Sequence, residues 1–333
     1  MKIVVENSTW NNIGDAFYQF PLYKILKNTL KQHDVYMFDG PIYRSFKIPN
    51  TNFFKKKILD IRQFIDADIF VFSGPILLSN FINHYGELIK NIKNNNKEYM
   101  ILSAFGDTAS SQKNIKFLLK YPPLAFSSRT KKTYDLYSEV ANKSLDGICN
   151  AFFMSKSLKL TNLNLKNYII YSFYSMPEPI IDFKLNENII DLQSIKVNKR
   201  KNYLYSMYRH FQFIKYHPGE ILNKKILRTV HDISYKFSHL NFARDNSYLS
   251  YNPLNYLSLY KNSELTISDR VHACVAALSF NKPAVLVGDW GERAELFQKL
   301  KIEKKNNVFL PTLENQINQE YTLYIDWIKD VFK

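Results

Sequence analysis

Arg270 and His272 stand two residues apart in the stretch Ser268-Asp269-Arg270-Val271-His272-Ala273-Cys274. Side chains of these types at that spacing can grip an anion and hand it a proton. A guanidinium is a fixed cation with a fork of donors, and an imidazole exchanges a proton near neutral pH. In the first turn of a helix the two would be joined by unpaired backbone N–H groups and the positive end of the helix dipole. The competing reading is structural, with Arg270 in a surface ion pair and His272 a satisfied core histidine. Spacing alone weighs the two about equally.

The elements that must position this pair read as one βαβ unit. Glu264 to Ile267 is a short apolar strand, and Asp269 suits a helix N-cap. Val271, Cys274, Val275 and Leu278 follow at i, i+3, i+4 and i+7. Asn281 fits the helix end and Pro283 blocks its continuation. The run Ala284 to Val287 is then a second strand, reached by a helical crossover and so parallel to the first. That places Arg270 and His272 at the carboxyl end of a parallel strand, where ligands bind in open α/β sheets.

Together with the Lys-Pro-Ala-Val-Leu-Val strand at 282–287, the Ser-Asp-Arg-Val-His element resembles the polysaccharide pyruvyl transferase family. The likeness extends in order to Asn12-Ile13-Gly14-Asp15 after the first strand, Phe72-Ser73-Gly74 after a middle strand, and Ser128-Arg129-Thr130 before a helix. The resemblance implies two Rossmann-like α/β domains with parallel sheets, in a GT-B-like arrangement with an inter-domain cleft. It also implies transfer of pyruvate from phosphoenolpyruvate onto two sugar hydroxyls, closing a cyclic ketal and releasing phosphate.

In that picture His272 is the catalytic acid, and Arg270, Arg209, Asp269 and Arg293 bind the donor. Asn12, Gly14, Asp15, Ser73, Gly74 and Arg129 face the acceptor. The family's anion-binding arginine after the first strand of the second domain has no counterpart near Tyr168 to Phe173, whereas Arg209 and His210 follow a competing strand at Asn202 to Met207. The acceptor is expected to be a surface polysaccharide or its lipid-linked precursor. No cofactor is implied, phosphoenolpyruvate being a substrate.

Composition narrows the remaining classes. The 333 residues suit two domains of ordinary size. No apolar run reaches membrane-span length, and Met1 to Glu6 is too short and too quickly acidic for a signal peptide, so a cytoplasmic protein is expected. Cys149 and Cys274 lie far apart and the seven histidines lack ligand spacing, so no disulfide and no structural metal is expected. The net charge of +15 suits phosphorylated substrates and peripheral contact with an anionic membrane surface. No aromatic-basic motif argues for nucleic acid.

Along the chain, Lys2 to Glu6 opens a first strand and Asn12-Ile13-Gly14-Asp15 turns into a helix reaching about Gln32, with Pro21 near its start. Val35 to Phe38 is a strand and Phe53 to Ile65 a helix with a basic outer face. Asp68 to Phe72 is a buried strand ending in the turn Ser73-Gly74-Pro75. Asp66-Ala67-Asp68 spells a metal-nucleotide pattern but precedes its strand, which argues against that role.

Asn80 to Lys93 reads as a helix, Tyr99 to Ser103 as a strand, and Ala104 to Thr108 as a carboxyl-end loop. Ser111 to Lys120, Leu124 to Ser127 and Thr130 to Val140 continue the alternation, with Arg129 free to bind an anion or pair with Asp135. Domains are expected at 1–160 and 161–315, with 316–333 a helix packing back on the first. Met176 to Lys199 reads as an insertion. Gly219 to Phe237 reads as an amphipathic helix with His231 on its solvent face. In the loop after Val287, Asp289, Glu292 and Arg293 shape the site.

Two other functions fit the same elements. One is a GT-B glycosyltransferase using a nucleotide sugar, for which Glu292 is the candidate ribose ligand. The other is a non-catalytic saccharide-binding protein. Fold alone does not separate them.

Overall fold

A computed structural model describes residues 1–8, 12–41, 59–173, 176, 178–186, 189–196, 219–221, 223–231, 246–288, 291–305, 308–311 and 314–333. The chain divides into two compact units. The first holds Met1–Lys159, Gly291–Lys301 and Glu314–Lys333, and the second holds Leu160–Trp290 and Ile302–Leu313.

The first unit alternates strand and helix. Its strands are β1 (Lys2–Asn7), β2 (Asp34–Asp39), β3 (Ile69–Leu77), β4 (Glu98–Gly106), β5 (Ala125–Ser128) and β6 (Lys143–Asp146). They form one sheet in the order β2-β1-β3-β4-β5-β6, with every pairing parallel. The inner strands β1, β3, β4 and β5 are buried on both faces, as a sheet covered on both sides requires, while the edge strands β2 and β6 are more exposed. The helices are α1 (Ile13–Thr29), α2 (Phe81–Asn94), α3 (Thr108–Lys120), α4 (Lys131–Tyr137) and the single turn α5 (Met154–Ser157). The core on the α2 side joins Val4, Phe70, Phe72, Tyr85, Leu88, Ile89, Tyr99 and Phe126. Strand order reverses at β1, which makes the carboxyl ends of β1 and β3 the switch point of this sheet.

Four local readings are corrected in this unit. Ser73-Gly74-Pro75 is not a turn, because β3 runs on to Leu77 through a bulge at Ser73 and Gly74. Gly74 adopts φ +85°, and an added Cβ would lie 2.4 Å from the Tyr18 ring, so conformation and packing both require glycine. Similarly β4 continues to Gly106, with Ser103 at φ 52°, and Asp107 caps α3. Pro21 lies inside α1 rather than near its start. Of the helix expected over 53–65, residues 53–58 lie outside the described residues, and Ile61–Phe64 is a single 3-10 turn.

The second unit begins with β7 (Tyr168–Ser172), the first of the two competing strands; residues 202–207 lie outside the described residues. The expected insertion is a two-stranded antiparallel hairpin, β8 (Ile180–Asn186) with β9 (Ile189–Lys196). There follow β10 (Glu220–Ile221), β11 (Lys224–Thr229), β12 (Ser247–Tyr248), α6 (Pro253–Asn262), β13 (Leu265–Ser268), α7 (Val271–Ser279) and β14 (Ala284–Leu286). Strands β11, β7, β13 and β14 are parallel neighbours in that order, so the expected βαβ unit β13-α7-β14 is present. The sheet is mixed rather than wholly parallel, since β10 and the short strands β15 (Lys304–Lys305) and β16 (Val308–Phe309) join antiparallel.

The helix expected over 219–237 is overturned. Residues 224–229 are a central strand, with Ile226 and Arg228 buried and Val230 buried just past its end. The alternation 226, 228, 230 competes with the helical spacing. A place between β12 and β7 satisfies the backbone on both sides and buries the side chains on both faces, which an exposed amphipathic helix would not. Residues 232–237 lie outside the described residues.

The chain then returns to the first unit with α8 (Glu295–Lys299) and α9 (Glu314–Val331). Asn150 Nδ2 donates to the Tyr324 hydroxyl at 3.3 Å, and Phe153 packs on Tyr321 and Tyr324, which seats α9 within that unit.

Candidate functional site

Strand order in the second sheet reverses at β7, so its switch point lies at the carboxyl ends of β7 and β13. The register sets Ser172 opposite Ser268, with Thr229 just past the end of the β11 pairing, and all three are buried. Ser268 Oγ donates to Ser172 O at 2.6 Å and accepts from Arg270 N at 2.8 Å. Asp269 is fully buried, its N–H reaching Ser172 O at 3.3 Å and its Oδ2 accepting from Met176 N at 2.9 Å. The carboxylate therefore ties the β7 exit to the β13 exit, and the N-cap position expected for Asp269 falls one residue later. Arg270 is the N-cap, at φ −105° and ψ 118°, and makes no side-chain cap bond. His272 lies in the first turn, half-buried, and Arg270 is buried. A guanidinium, an imidazole and the N-terminal turn of a helix thus share one strand end, an arrangement suited to a carboxylate or phosphate.

His231 is the residue that sequence reasoning missed. It follows β11 directly, and burial places it under this strand end rather than in solvent. Its Nε2 lies 2.7 Å from the Tyr260 hydroxyl, which is 3.1 Å from Thr229 Oγ1. The ring meets Tyr256 and Tyr260 edge-on, and the Tyr256 hydroxyl donates to Val230 O at 2.7 Å. Burial, and after it the positive charges of Arg270 and His272, hold its pKa well below 6.5, so the ring is neutral at physiological pH. Burial likewise pushes the Tyr256 hydroxyl up to about 12 and the Cys274 thiol far above its usual range, so Tyr256 stays protonated and Cys274 unreactive. The signal available in the sequence was the period-two pattern through 226–230.

In the first unit, Asn12 caps α1, its Oδ1 accepting from Gly14 N at 3.1 Å while Nδ2 donates to Asp15 Oδ1 at 3.3 Å. Gln19 joins them through Ser8, accepting Ser8 N at 3.0 Å and donating to Ser8 Oγ at 2.9 Å. Asn12, Gly14 and Asp15 are thereby gathered at the carboxyl end of β1, beside the switch point. Glu6, also near that end, is buried and accepts from the Tyr85 hydroxyl at 2.7–2.8 Å. Ser73 and Gly74 are buried within β3, and Ser73 Oγ finds no hydrogen-bond partner among the described residues.

Arg129 is buried just past β5, with its guanidinium 5.4 Å from the Phe105 ring centre. Asp135 pairs with Lys131 at 2.7 Å instead of Arg129. Glu292 belongs to the first unit, where it pairs with Lys132 and accepts from the Thr108 hydroxyl at 3.2 Å. Arg293 sits in the 3-10 turn Gly291–Ala294 of that unit, its side chain outside the described residues. Arg209, His210, Asp289 and Trp290 also lie outside the described residues. Among the described residues, no cluster of His, Cys, Asp and Glu is placed to hold a metal ion, and no helix is long and apolar enough to cross a membrane.

Among the solved structures with similar folds are UDP-N-acetylglucosamine 2-epimerases of GT-B type. A Listeria monocytogenes protein assigned as a UDP-N-acetylglucosamine 2-epimerase aligns over 99% of this chain and 88% of its own, at TM-score 0.53 and 11% identity. MnaA of S. aureus, solved with UDP, aligns over 98% and 88% at TM-score 0.53 and 13% identity. The UDP-N-acetylglucosamine 2-epimerase of Rickettsia bellii aligns over 99% and 96% at TM-score 0.50 and 14% identity. At such identities the likeness shows the fold, a two-unit α/β protein of the GT-B class, and nothing of the substrate. The polysaccharide pyruvyl transferase family model matches residues 12–290. The chain belongs to that family, and is a transferase of polysaccharide biosynthesis. A search of curated sequences finds no match to it.

Proposed function

We propose that the chain moves pyruvate from phosphoenolpyruvate onto two hydroxyls of a saccharide, with the donor bound at the α7 start and the acceptor at the carboxyl end of β1. The observation that carries this reading is Arg270 at the N-cap of α7, on the switch point of the second sheet and beside His272. Phosphoenolpyruvate presents a carboxylate and a phosphate, which a guanidinium and helix N–H groups neutralise. His272 protonates the methylene carbon, leaving an oxocarbenium-like centre at C2 that one hydroxyl attacks. Phosphate departs and the second hydroxyl closes the ketal. Of the two hydroxyl protons, one restores His272 and one leaves with phosphate, so the step balances.

Asn12 and Asp15 offer the acceptor a short polar edge suited to sugar hydroxyls. A saccharide carried on a lipid would present the same hydroxyls. The glycosyltransferase reading loses its candidate ribose ligand, since Glu292 pairs with Lys132 in the first unit.

The test is thermal stabilisation by phosphoenolpyruvate against UDP, CMP and GDP, followed by phosphate release with an acceptor panel. At 100 times its dissociation constant a ligand adds about 2.7 kcal/mol, a rise of roughly 5–11 °C in Tm for a domain of this size. Arg270→Ala is expected to abolish the phosphoenolpyruvate shift, and His272→Ala to keep the shift and lose turnover at least 100-fold. Stabilisation by a nucleotide and none by phosphoenolpyruvate would sink the donor assignment.

A further inference from the structure

The backbones of His231 and Arg270 leave the second sheet level with each other. Strands β11 and β13 both pair with β7, and Arg228 and Ile267 each stand opposite Tyr171. His231 is three residues past Arg228, and Arg270 three past Ile267. Neighbouring strands lie about 4.8 Å apart, so the two chain segments are roughly 10 Å apart with β7 between them. Hydrogen bonds hold the three strand ends together, Ser268 Oγ donating to Ser172 O at 2.6 Å and Ser172 Oγ to Thr229 O at 3.4 Å. An anion gripped by Arg270 and His272 is therefore close enough to act on the His231 ring, and in a buried setting salt screens that action little.

The ring itself is buried and anchored. Its Nε2 meets the Tyr260 hydroxyl at 2.7 Å, and it packs edge-on against Tyr256 with 4.9 Å between ring centres. Among the described residues, the polar and charged groups around it come from Thr229 past the β11 pairing, Tyr256 and Tyr260 of α6, and Arg270 and His272 at the α7 start. Burial raises both tyrosine hydroxyls, which leaves them neutral. The two charges that act on the imidazole are both positive, and they add to burial in keeping it unprotonated. A bound donor reverses that balance. Its carboxylate and phosphate offset both cations, and burial alone then opposes a charge on the ring.

We propose that His231 takes up a proton from solvent when phosphoenolpyruvate binds at Arg270 and His272, so that affinity for the donor gains from acidity. This coupling rests on phosphoenolpyruvate being the donor. It gives His231 a part in donor binding without contact to a substrate atom.

The test is the dissociation constant of phosphoenolpyruvate, measured by calorimetry at pH 7.5 and 5.5 for the parent chain and for His231→Gln. Ionisation of the donor phosphate and of His272 is common to both proteins and cancels in the ratio of their constants. A bound-state ring half-protonated at about pH 6 tightens parent binding roughly fourfold at pH 5.5 and negligibly at pH 7.5. The parent is therefore expected to gain at least threefold over His231→Gln between the two pH values. Should the variant not fold, the His231 ring of the parent, identified by its contacts with the Tyr256 and Tyr260 rings, is followed by NMR and should titrate at higher pH with phosphoenolpyruvate than without it. A ratio that stays constant with pH, or a ring that titrates alike in both states, would overturn the proposal and leave the donor assignment standing. A parent chain that binds no phosphoenolpyruvate at either pH would remove the donor assignment and the coupling with it.

Discussion

A buried neutral histidine makes the stability of this protein depend on pH in a calculable way. In the unfolded chain the His231 imidazole takes up a proton as pH falls through about 6.5, whereas in the folded chain burial and the charges of Arg270 and His272 keep it neutral to well below that value. Below pH 6.5 the unfolded state therefore binds more protons, so this contribution is fully present above that pH and is lost as pH falls. The loss approaches about 1.4 kcal/mol per pH unit, and from pH 7.5 to 5.5 it amounts to roughly 1.4 kcal/mol, or about 3–6 °C in Tm.

His231→Gln keeps an amide near the Tyr260 hydroxyl and cannot titrate. Its Tm measured against the parent chain across that range should close on the parent's as pH falls, because every other titrating group cancels in the difference. If the two Tm curves run parallel between pH 7.5 and 5.5, His231 is not a buried neutral imidazole, and the account of the strand end above fails. Should His231→Gln not fold, the imidazole resonances of the parent chain give the same answer, since a ring that titrates near 6.5 would be equally fatal.

Other perturbations test the framework around the sites. Arg228 and Glu178 are 1% and 4% exposed and paired through two bonds of 2.6 and 2.8 Å. Glu178→Gln or Arg228→Ala breaks this buried pair and is expected to cost about 3–5 kcal/mol by urea unfolding, while Arg228→Met with Glu178→Leu should recover most of it. Gly74→Ala forces a side chain onto a left-handed backbone against Tyr18, and a loss of at least about 2 kcal/mol is expected. A neutral result would show that the bulge relaxes, and would remove the packing reason for glycine.

The alternation of apolar runs with helical spacings was enough to determine the α/β class. The runs Tyr168 to Ser172 and Ile69 to Phe72 are apolar on both faces, which only a covered parallel sheet satisfies, and the observed strands lie there. The β13-α7-β14 crossover was equally legible, because Pro283 and Asn281 mark the helix end in local chemistry; Asn281 indeed takes φ 60°. The sequence also placed Arg270 and His272 at a helix start and Asn12 at another, since capping and spacing are properties of neighbours in the chain.

What the tertiary structure decided depends on neighbours distant in sequence. Residues 224–230 carry both a helical and a strand pattern, and pairing with β7 chose the strand. That choice brought His231 beneath Arg270, against tyrosines 25 and 29 residues away in the chain. Ser73 and Gly74 read as a turn because glycine usually breaks a strand, yet the close approach of Tyr18 from α1 is what requires it. Asp269 reads as the N-cap, yet Arg270 takes that position and the Asp269 carboxylate accepts from Met176 N, 93 residues back. Glu292, expected near the nucleotide, is captured by Lys132, 160 residues before it. Local propensity supplied the elements and their ends, and burial between elements far apart in the chain decided which polar groups came together.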